Sequence, residues 1–161
     1  MRVSRLLPAV LVLVALSCSP VFADATLFIG STLTPSHRTA KGFSIGAGLL
    51  IVGVEFEYAS TVEDSVKGAP SLRTSMGNFL LQTPVPLAGM QFYWTTGAGG
   101  YRERLGDTRQ ETNIAFNTGG GAKISLIGPL KVRLDYRVIK LRGNPLSSTL
   151  HRVYAGVNLG F

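Results

Sequence analysis

Cysteine is almost absent from this chain, in which Cys18 is the single example, and histidine is limited to His37 and His151. Residues 24–161 therefore contain no disulfide framework, so a fold there must be held by its core or by its surroundings. Two histidines without local spacing, and no cysteine beside them, provide no ligand set for zinc. The sequence predicts no metal and no cofactor.

Long apolar runs are missing as well beyond the first 23 residues. Charged or glycine-rich positions interrupt every later apolar stretch before it reaches the roughly 20 residues that a membrane-spanning helix requires. The chain contains 19 glycines, many of them inside its periodic segments. In a helix each glycine would cost about 1 kcal/mol relative to alanine. The chain is therefore predicted to be a soluble β protein or to cross a membrane as strands.

Clustered positive charge is also lacking. The formal net charge is +7, and it falls to +5 if Arg2 and Arg5 are removed with an amino-terminal leader. No basic cluster is interleaved with aromatic residues, which is the pattern that nucleic-acid-binding surfaces show. We therefore expect no nucleic-acid partner.

The amino terminus carries the pattern of a secretory signal peptide. Arg2 and Arg5 precede an apolar run over 6–16, and a cleavage pattern ends at Ala23. The apolar run is too short to be retained as a spanning helix. We predict that residues 1–23 form a cleaved signal peptide.

Lipid attachment at Cys18 is the rival interpretation of this segment, and it would make the product a lipoprotein. Ala15 stands three residues before the cysteine, where a lipobox prefers leucine. The signal-peptide interpretation is favoured, and it makes residues 24–161 the mature domain.

Beyond the leader, eight segments alternate apolar residues with small or polar ones. Period-2 alternation of this kind is typical of strands that bury or expose one face. The segments are separated by clusters of turn residues. They cover residues 25–33, 43–49, 52–60, 74–83, 91–101, 113–125, 130–141 and 151–161.

The connections between these segments differ in length and polarity. Those after the odd-numbered segments are polar stretches, whereas those after the even-numbered segments are shorter or apolar. Long loops on one rim and short turns on the other are typical of outer-membrane barrels with both termini in the periplasm. The sequence therefore predicts an all-β fold, an eight-stranded antiparallel up-and-down transmembrane β-barrel. The predicted long loops are 34–42, 61–72, 102–112 and 142–150, and the short turns are 50–51, 84–90 and 126–129.

The last segment ends the chain on an aromatic residue. Its apolar positions, from Val153 to Phe161, share one face, and its small or polar positions, from Tyr154 to Gly160, share the other. A closing strand of a membrane barrel has reason to end in an aromatic girdle. The apolar face is predicted to contact lipid, and the other face a packed polar lumen.

Charged residues occupy the predicted inner face of the strands. An eight-stranded barrel is just wide enough to be filled by side chains, and unpaired charges inside it would be costly. We therefore predict a lumenal ion-pair network, which would plug the barrel. Its predicted members are Glu55, Glu57, Lys123, Lys131, Arg133, Asp135 and Arg137, and strand 8 adds Arg152 to the same face.

Residues 154–161 resemble the closing strand of the small outer-membrane β-barrel family, which includes the outer-membrane protein A transmembrane domain, outer-membrane protein X and opacity-type surface antigens. Residues 97–101, 119–123 and 134–137 are similar to its internal strands. The resemblance implies a location in the outer membrane of a Gram-negative-type bacterium, in contact with membrane lipid and lipopolysaccharide. It also implies that Gly156 and Phe161 form the signal read by the barrel-assembly machinery.

Four functional hypotheses follow, of which the first is favoured. The barrel is a structural or interaction protein whose outward loops contact host or envelope components. The alternatives are a lipid-acting enzyme at the rim, a narrow solute pore, and a soluble periplasmic barrel that holds a ligand. The aromatic residues Phe92, Tyr93 and Trp94 are interpreted as an interfacial belt near a short turn rather than as a ligand platform.

The enzyme alternative depends on the two histidines. Barrel closure makes the first and last strands neighbours, so His37 and His151 are expected near one another at the outer rim. Ser36, Ser147 and Ser148 are close to them in the sequence. A Ser–His pair there would be a candidate hydrolase or acyltransferase site. Because serine and histidine are ordinary in polar loops, we predict that the protein is not an enzyme.

Overall fold

The computed structural model describes residues 21–107 and 109–161, and its main feature is a single closed sheet. Eight antiparallel strands follow one another in chain order, and the last pairs with the first. Strands that are adjacent in the sequence are hydrogen-bonded to each other, which makes the barrel an up-and-down meander. The strands are β1 (Val21–Thr32), β2 (Arg38–Leu49), β3 (Val52–Thr61), β4 (Ser71–Gln82), β5 (Met90–Leu105), β6 (Arg109–Ile127), β7 (Leu130–Leu141) and β8 (Thr149–Gly160).

The predicted fold is thus confirmed as a closed eight-stranded barrel. Among the described residues, no helix is long and apolar enough to cross a membrane. A short 3₁₀ turn, Ser65–Lys67, lies in the connection between β3 and β4. β1 begins at Val21, on the amino-terminal side of the predicted cleavage point, and the rest of the predicted signal peptide lies outside the described residues.

The two ends of the barrel have different connections. At one end, here called the loop end, residues 33–37, 62–70, 106–108 and 142–148 join the strands. At the other, the turn end, the connections are 50–51, 83–89 and 128–129, and β1 starts and β8 finishes there. The predicted segregation of loop length is only partly correct, because 83–89 is as long as 142–148.

The prediction of a loop at 102–112 is wrong. β5 continues to Leu105 and β6 starts at Arg109, so this segment is a two-stranded ribbon around a tight connection. The segment looks like a loop because it is polar on both faces. Arg102 points outward and Glu103 points inward, which is the alternation of a strand that extends past the apolar part of the barrel wall.

The outer face of the wall is apolar and the inner face is mostly polar. Outward side chains such as Leu27, Val157 and Leu134 are exposed by 71%, 54% and 46%. The inward neighbours of Leu134 are buried charges, Arg133 and Asp135. Since successive residues of a strand point to opposite faces, this inverted pattern follows directly from the period-2 alternation.

Candidate functional site

The lumen contains a cluster of buried charged side chains supplied by three strands, β3, β7 and β8. β3 contributes Glu55 and Glu57, and β7 contributes Arg133, Asp135 and Arg137 on its inner face. The alternation of each strand places these residues on one side, and closure of the barrel brings β3 and β7 together across the lumen. Both arginines have no exposed surface.

Arg137 is at the centre of this cluster. Its Nη2 lies 2.9 Å from Glu55 Oε1, and its Nε donates to Asp135 Oδ1 at 2.9 Å. Its Nη1 is 3.1 Å from Glu57 Oε2, a charge contact without the alignment of a hydrogen bond. One guanidinium therefore contacts three carboxylates.

Arg133 and Arg152 complete the charge balance. Arg133 is paired with Glu55, and its Nη2 is 3.2 Å from Asp135 Oδ2. Arg152, on β8, is paired with Glu57. A buried charge is tolerated only when it is paired and hydrogen-bonded. The cluster meets this condition because its arginines and carboxylates are equal in number: Arg133, Arg137 and Arg152 against Glu55, Glu57 and Asp135.

Neutral hydrogen-bonding groups hold the charges in place. Arg133 Nε donates to the Tyr93 hydroxyl at 2.7 Å, and that hydroxyl donates to Asp135. Ser44 donates to Glu55 Oε2 at 3.0 Å, and the Tyr154 hydroxyl donates to Glu57 Oε2 at 3.3 Å. The predicted role of Tyr93 in an outward aromatic belt is wrong, since only Phe92 and Trp94 face outward there. Because successive residues of a strand point to opposite faces, the alternation alone places Tyr93 on the face opposite to Phe92 and Trp94.

Two predicted network members lie apart from the cluster. Lys123 is buried and paired with Asp24, a residue that is not among the predicted members of the network. Lys131 is half-buried near the turn end, and within the described ranges 21–107 and 109–161 it has no ion pair. The structure therefore brings together Glu55, Glu57, Arg133, Asp135 and Arg137, and it separates Lys123 and Lys131 from them.

A second, apolar layer fills the lumen toward the loop end. Here the inner faces of β4 to β8 carry aliphatic and aromatic side chains in place of charges. The predicted polar lumen is therefore only half correct. The layer consists of Leu72, Met76, Tyr101, Ala115, Ile139, Leu141 and Leu150.

Little space is left between the inner side chains. A cavity near the turn end, lined by Asp24, Gln82 and Lys123 among others, has a volume of about 10 Å³. This is close to the minimum volume that holds one water molecule. Packed charges and a packed apolar layer thus occupy the lumen between the two ends of the barrel.

The two histidines are placed differently from the predicted pair. His151 lies on the outer face of β8, where its Nδ1 is 2.7 Å from the Tyr136 hydroxyl. His37 is exposed in the connection between β1 and β2. Within the described part of the chain, no hydrogen bond joins either imidazole to Ser36, Ser147 or Ser148. No group of three or more carboxylate, histidine or cysteine side chains there is arranged as metal ligands.

Gly156 and Phe161 both lie at the seam where β8 meets β1. A Cβ on Gly156 would lie 2.6 Å from Leu27 O and 2.9 Å from Phe28 Cβ, so this position has no room for a side chain. Phe161 exchanges backbone hydrogen bonds of 2.9 Å with Ala23, while its side chain is 79% exposed. The two residues therefore differ in their surroundings, because one is tightly packed and the other is free.

The sequence matches no family model and no curated protein. The fold matches solved structures. The N-terminal β-barrel domain of Pseudomonas aeruginosa OprF is similar with a TM-score of 0.65 and 14% identity, over 87% of this chain and 97% of that one. Neisserial surface protein A (NspA) has a TM-score of 0.61 and 17% identity, over 88% and 96%.

Two further neighbours show the range of proteins that share this fold. Ail, the attachment invasion locus protein of Yersinia pestis, has a TM-score of 0.55 and 14% identity, over 88% of this chain and 98% of that one. The outer membrane enzyme PagL has a TM-score of 0.54 and 13% identity, over 84% and 98%. At these identities the likeness shows the fold, which is that of the small outer-membrane β-barrels.

Proposed function

We propose that this chain is an integral outer-membrane protein with a closed lumen, which acts as a structural and surface-interaction protein through its loop end. The observation that carries the proposal is the inverted barrel wall. Apolar side chains cover the outside, and the inside holds a cluster of paired charges beside an apolar layer. A soluble protein would not expose so continuous an apolar surface to water.

The direction of insertion follows from the two ends of the barrel. Outer-membrane barrels have short periplasmic turns and present their longer connections outside the cell. The turn end, with both ends of the barrel sheet, is then periplasmic, and the loop end is extracellular. A signal peptide at 1–23 would deliver the chain to this compartment.

The closed lumen argues against a solute pore and against a ligand-binding periplasmic barrel. Arg133 and Arg137 cross the lumen to reach carboxylates on the opposite wall. The apolar layer lies between this cluster and the loop end. A pore or a ligand cavity would require space in the lumen. That space could be made only by breaking buried ion pairs or by displacing packed side chains, and both changes would destabilise the barrel.

Surface interaction is supported by what projects from the loop end. The connections 33–37, 62–70 and 142–148 and the β5–β6 ribbon extend from a rigid scaffold, which is where recognition is commonly located. Among the structural neighbours, Ail has been solved in complex with the heparin analogue sucrose octasulfate. Host or envelope components are therefore the partners to test at this end.

Gly156 and Phe161 are proposed to be read by the barrel-assembly machinery. The exposed Phe161 side chain is free to be bound before the seam closes. Glycine is also required at position 156 by packing, since the neighbouring residues on β1 leave no room for a side chain.

Cell fractionation tests the location. We expect the mature protein in the outer-membrane fraction, with electrophoretic migration in detergent that changes on heating because the folded barrel is compact. Recovery as a soluble periplasmic monomer would contradict the proposal.

The enzyme alternative is tested separately, because PagL shows that this fold also carries enzymes. We propose a non-enzymatic role, since the His151 imidazole is hydrogen-bonded to the Tyr136 hydroxyl rather than to a serine. Purified protein should neither deacylate lipid A nor transfer palmitate to it. Turnover that is lost in His151→Ala would establish the enzyme instead.

A further inference from the structure

The outer face of β4 and β5 carries small side chains where the neighbouring strands carry large ones. Two adjacent cross-strand rows, read from β3 to β6, are large, small, small, large. The rows are Phe56–Gly77–Ala98–Phe116 and Tyr58–Ser75–Gly100–Ile114. Since a strand's neighbours are about 4.8 Å apart, these rows form a trough two strands wide with bulky walls. We call Ser75, Gly77, Ala98 and Gly100 the β4–β5 trough.

The small residues of the trough are not required by packing inside the protein. A Cβ on Gly100 would meet nothing within 4 Å, and one on Gly77 would meet only Ala98 O at 3.9 Å. At Gly97 and Gly99, by contrast, a Cβ would lie within 2.3 Å of other atoms. The glycines of the trough therefore leave open space on the outside of the barrel.

The trough is bounded at both ends by different chemistry. Toward the turn end, the next outward residues are Phe79 and Thr96, which face each other across β4 and β5, and Trp94 is the outward residue after Thr96 on β5. Phe79 and Trp94 are both half exposed. Toward the loop end, the next outward residues are Arg73 and Arg102, which face each other directly across β4 and β5. A channel lined by small side chains thus leads from Phe79 and Thr96 to a pair of arginines.

Arg73 and Arg102 carry like charges and face each other across two neighbouring strands. Like charges directly opposite each other on neighbouring strands are destabilising. Neither Arg73 nor Arg102 forms an ion pair with any residue in the described ranges, and Arg104 beside them is paired with the exposed Asp107. A depression of about 110 Å³ lies between Ser71, Arg73, Arg102, Arg104 and Gln110. Guanidinium groups in such an array suit the oxygens of a phosphate group.

The height of the arginines matches a membrane boundary. A tilted strand crosses the hydrocarbon layer in about 9–11 residues, and β5 runs outward from Phe92 through Trp94 to Arg102. With the loop end outside, Arg102 is at the level of the outer headgroups, and the trough lies within the outer acyl chains.

We propose that the β4–β5 trough and its two arginines bind an outer-leaflet lipid whose headgroup carries phosphate. The phosphate accepts hydrogen bonds from Arg73 and Arg102, and an acyl chain lies along Gly77 and Gly100. This site rests on the proposed outer-membrane location. It assigns the trough to a specific lipid of the lipid A class rather than to bulk phospholipid.

Trp94 provides the measurement, because it is the single tryptophan of the chain and lies on the outer face of β5, one outward position beyond Thr96 on the turn-end side of the trough. The mature protein is refolded into vesicles of phosphatidylcholine with brominated chains, which quench the fluorescence of Trp94. Unbrominated, bisphosphorylated lipid A is then added at increasing mole fraction. Displacement of brominated chains restores fluorescence, and its dependence on mole fraction gives an association constant relative to phosphatidylcholine.

We expect lipid A to associate roughly five-fold more strongly than phosphatidylcholine, or more, as is typical of one or two basic residues at an anionic headgroup. Dephosphorylated lipid A and the variant Arg73→Gln/Arg102→Gln should each bring the relative constant close to one. Gly77→Leu/Gly100→Leu, which fills the trough, should do the same. The matched control Lys67→Gln/Lys140→Gln removes two exposed positive charges elsewhere and should keep the preference. Heat-modifiable migration shows that each variant is folded.

Equal constants for lipid A and phosphatidylcholine in the wild type would overturn the proposal, as would a preference that survives loss of both arginines. Calorimetric binding of soluble sucrose octasulfate through Arg73 and Arg102, without any lipid A preference, would assign the arginines to a soluble polyanion and also overturn it. Failure of the outer-membrane proposal looks different. In that case brominated phosphatidylcholine would not quench Trp94 at all.

Discussion

Arg137 on β7 and Glu55 on β3 lie on opposite walls of the barrel, yet Arg137 Nη2 is 2.9 Å from Glu55 Oε1. In a ring of eight strands, β3 and β7 are as far apart as two strands can be. A direct contact between them means that side chains span the full width of the lumen. This contact links the charge pattern of the sequence to the closed barrel.

Removal of Arg137 should strongly destabilise the barrel. Arg137→Met keeps much of the volume but leaves Glu55, Glu57 and Asp135 with one fewer counter-charge. Breaking a buried ion pair from one side costs about 3–5 kcal/mol. Urea unfolding, followed by heat-modifiable migration, measures the loss. The exposed control Lys140→Gln should stay within about 0.5 kcal/mol of the wild type, and an equal effect of the two substitutions would mean that the network has no role in stability.

An arginine on the outer wall should be costly in proportion to its depth. Leu134 lies on the outer face of β7, and Leu134→Arg should cost about 2–4 kcal/mol near the bilayer midplane. Ser148→Arg places the same charge in a loop-end connection and should cost far less. The measurement is a folding titration in phospholipid vesicles. Similar tolerance of both substitutions would show that the inner and outer faces are assigned wrongly.

Two glycines of β5 should respond oppositely to alanine. At Gly97 a Cβ would lie 2.2 Å from Asn78 Oδ1 and 2.3 Å from Gly77 O, whereas at Gly100 it would meet nothing. Overpacking of this kind costs about 1–3 kcal/mol, so Gly97→Ala should destabilise. Gly100→Ala should be neutral or slightly stabilising, because alanine loses less backbone entropy than glycine. The midpoints of urea unfolding compare the two, and a neutral Gly97→Ala would contradict the close packing of the inner face.

Substitutions at Gly156 and Phe161 should differ in their effects on the stability of the folded barrel and on its assembly in cells. Gly156→Ala introduces a clash at the seam and should lower both refolding in vitro and the amount assembled in cells. Phe161→Ala removes an exposed side chain. It should change the stability of the refolded protein by less than about 1 kcal/mol and still reduce the amount in the outer membrane. Normal assembly of Phe161→Ala in cells would remove the recognition role.

The sequence predicts the barrel wall better than its interior. The alternation along β7 and β8 assigns the inner and outer faces of both strands correctly. Every second residue must face lipid, and the more hydrophobic of the two alternating sets is the one that does. The partners of each charge depend on strand stagger around the barrel, which no single strand reveals. Asp24 and Lys123, far apart in the chain, illustrate this.

Three other features could not be predicted correctly from the sequence, because the residues around each of them suggest a different structure. Tyr93 stands between two outward aromatic residues, so composition suggests a belt, whereas its position in the alternation gives the inward orientation. Ile139 and Leu141 are inner-face residues in a strand whose other inner residues are charged, and apolar packing inside a membrane barrel has no distinct sequence pattern. The polar ends of β5 and β6 look like a loop because they extend beyond the apolar wall.

We propose above all that this membrane-spanning barrel is closed by its own side chains. The most direct test is planar-bilayer recording of refolded mature protein, with its folded state and insertion first shown by heat-modifiable migration and by quenching of Trp94 with brominated lipid. We expect no large and stable conductance from the inserted protein. A large, long-lived open state in the wild type would contradict it.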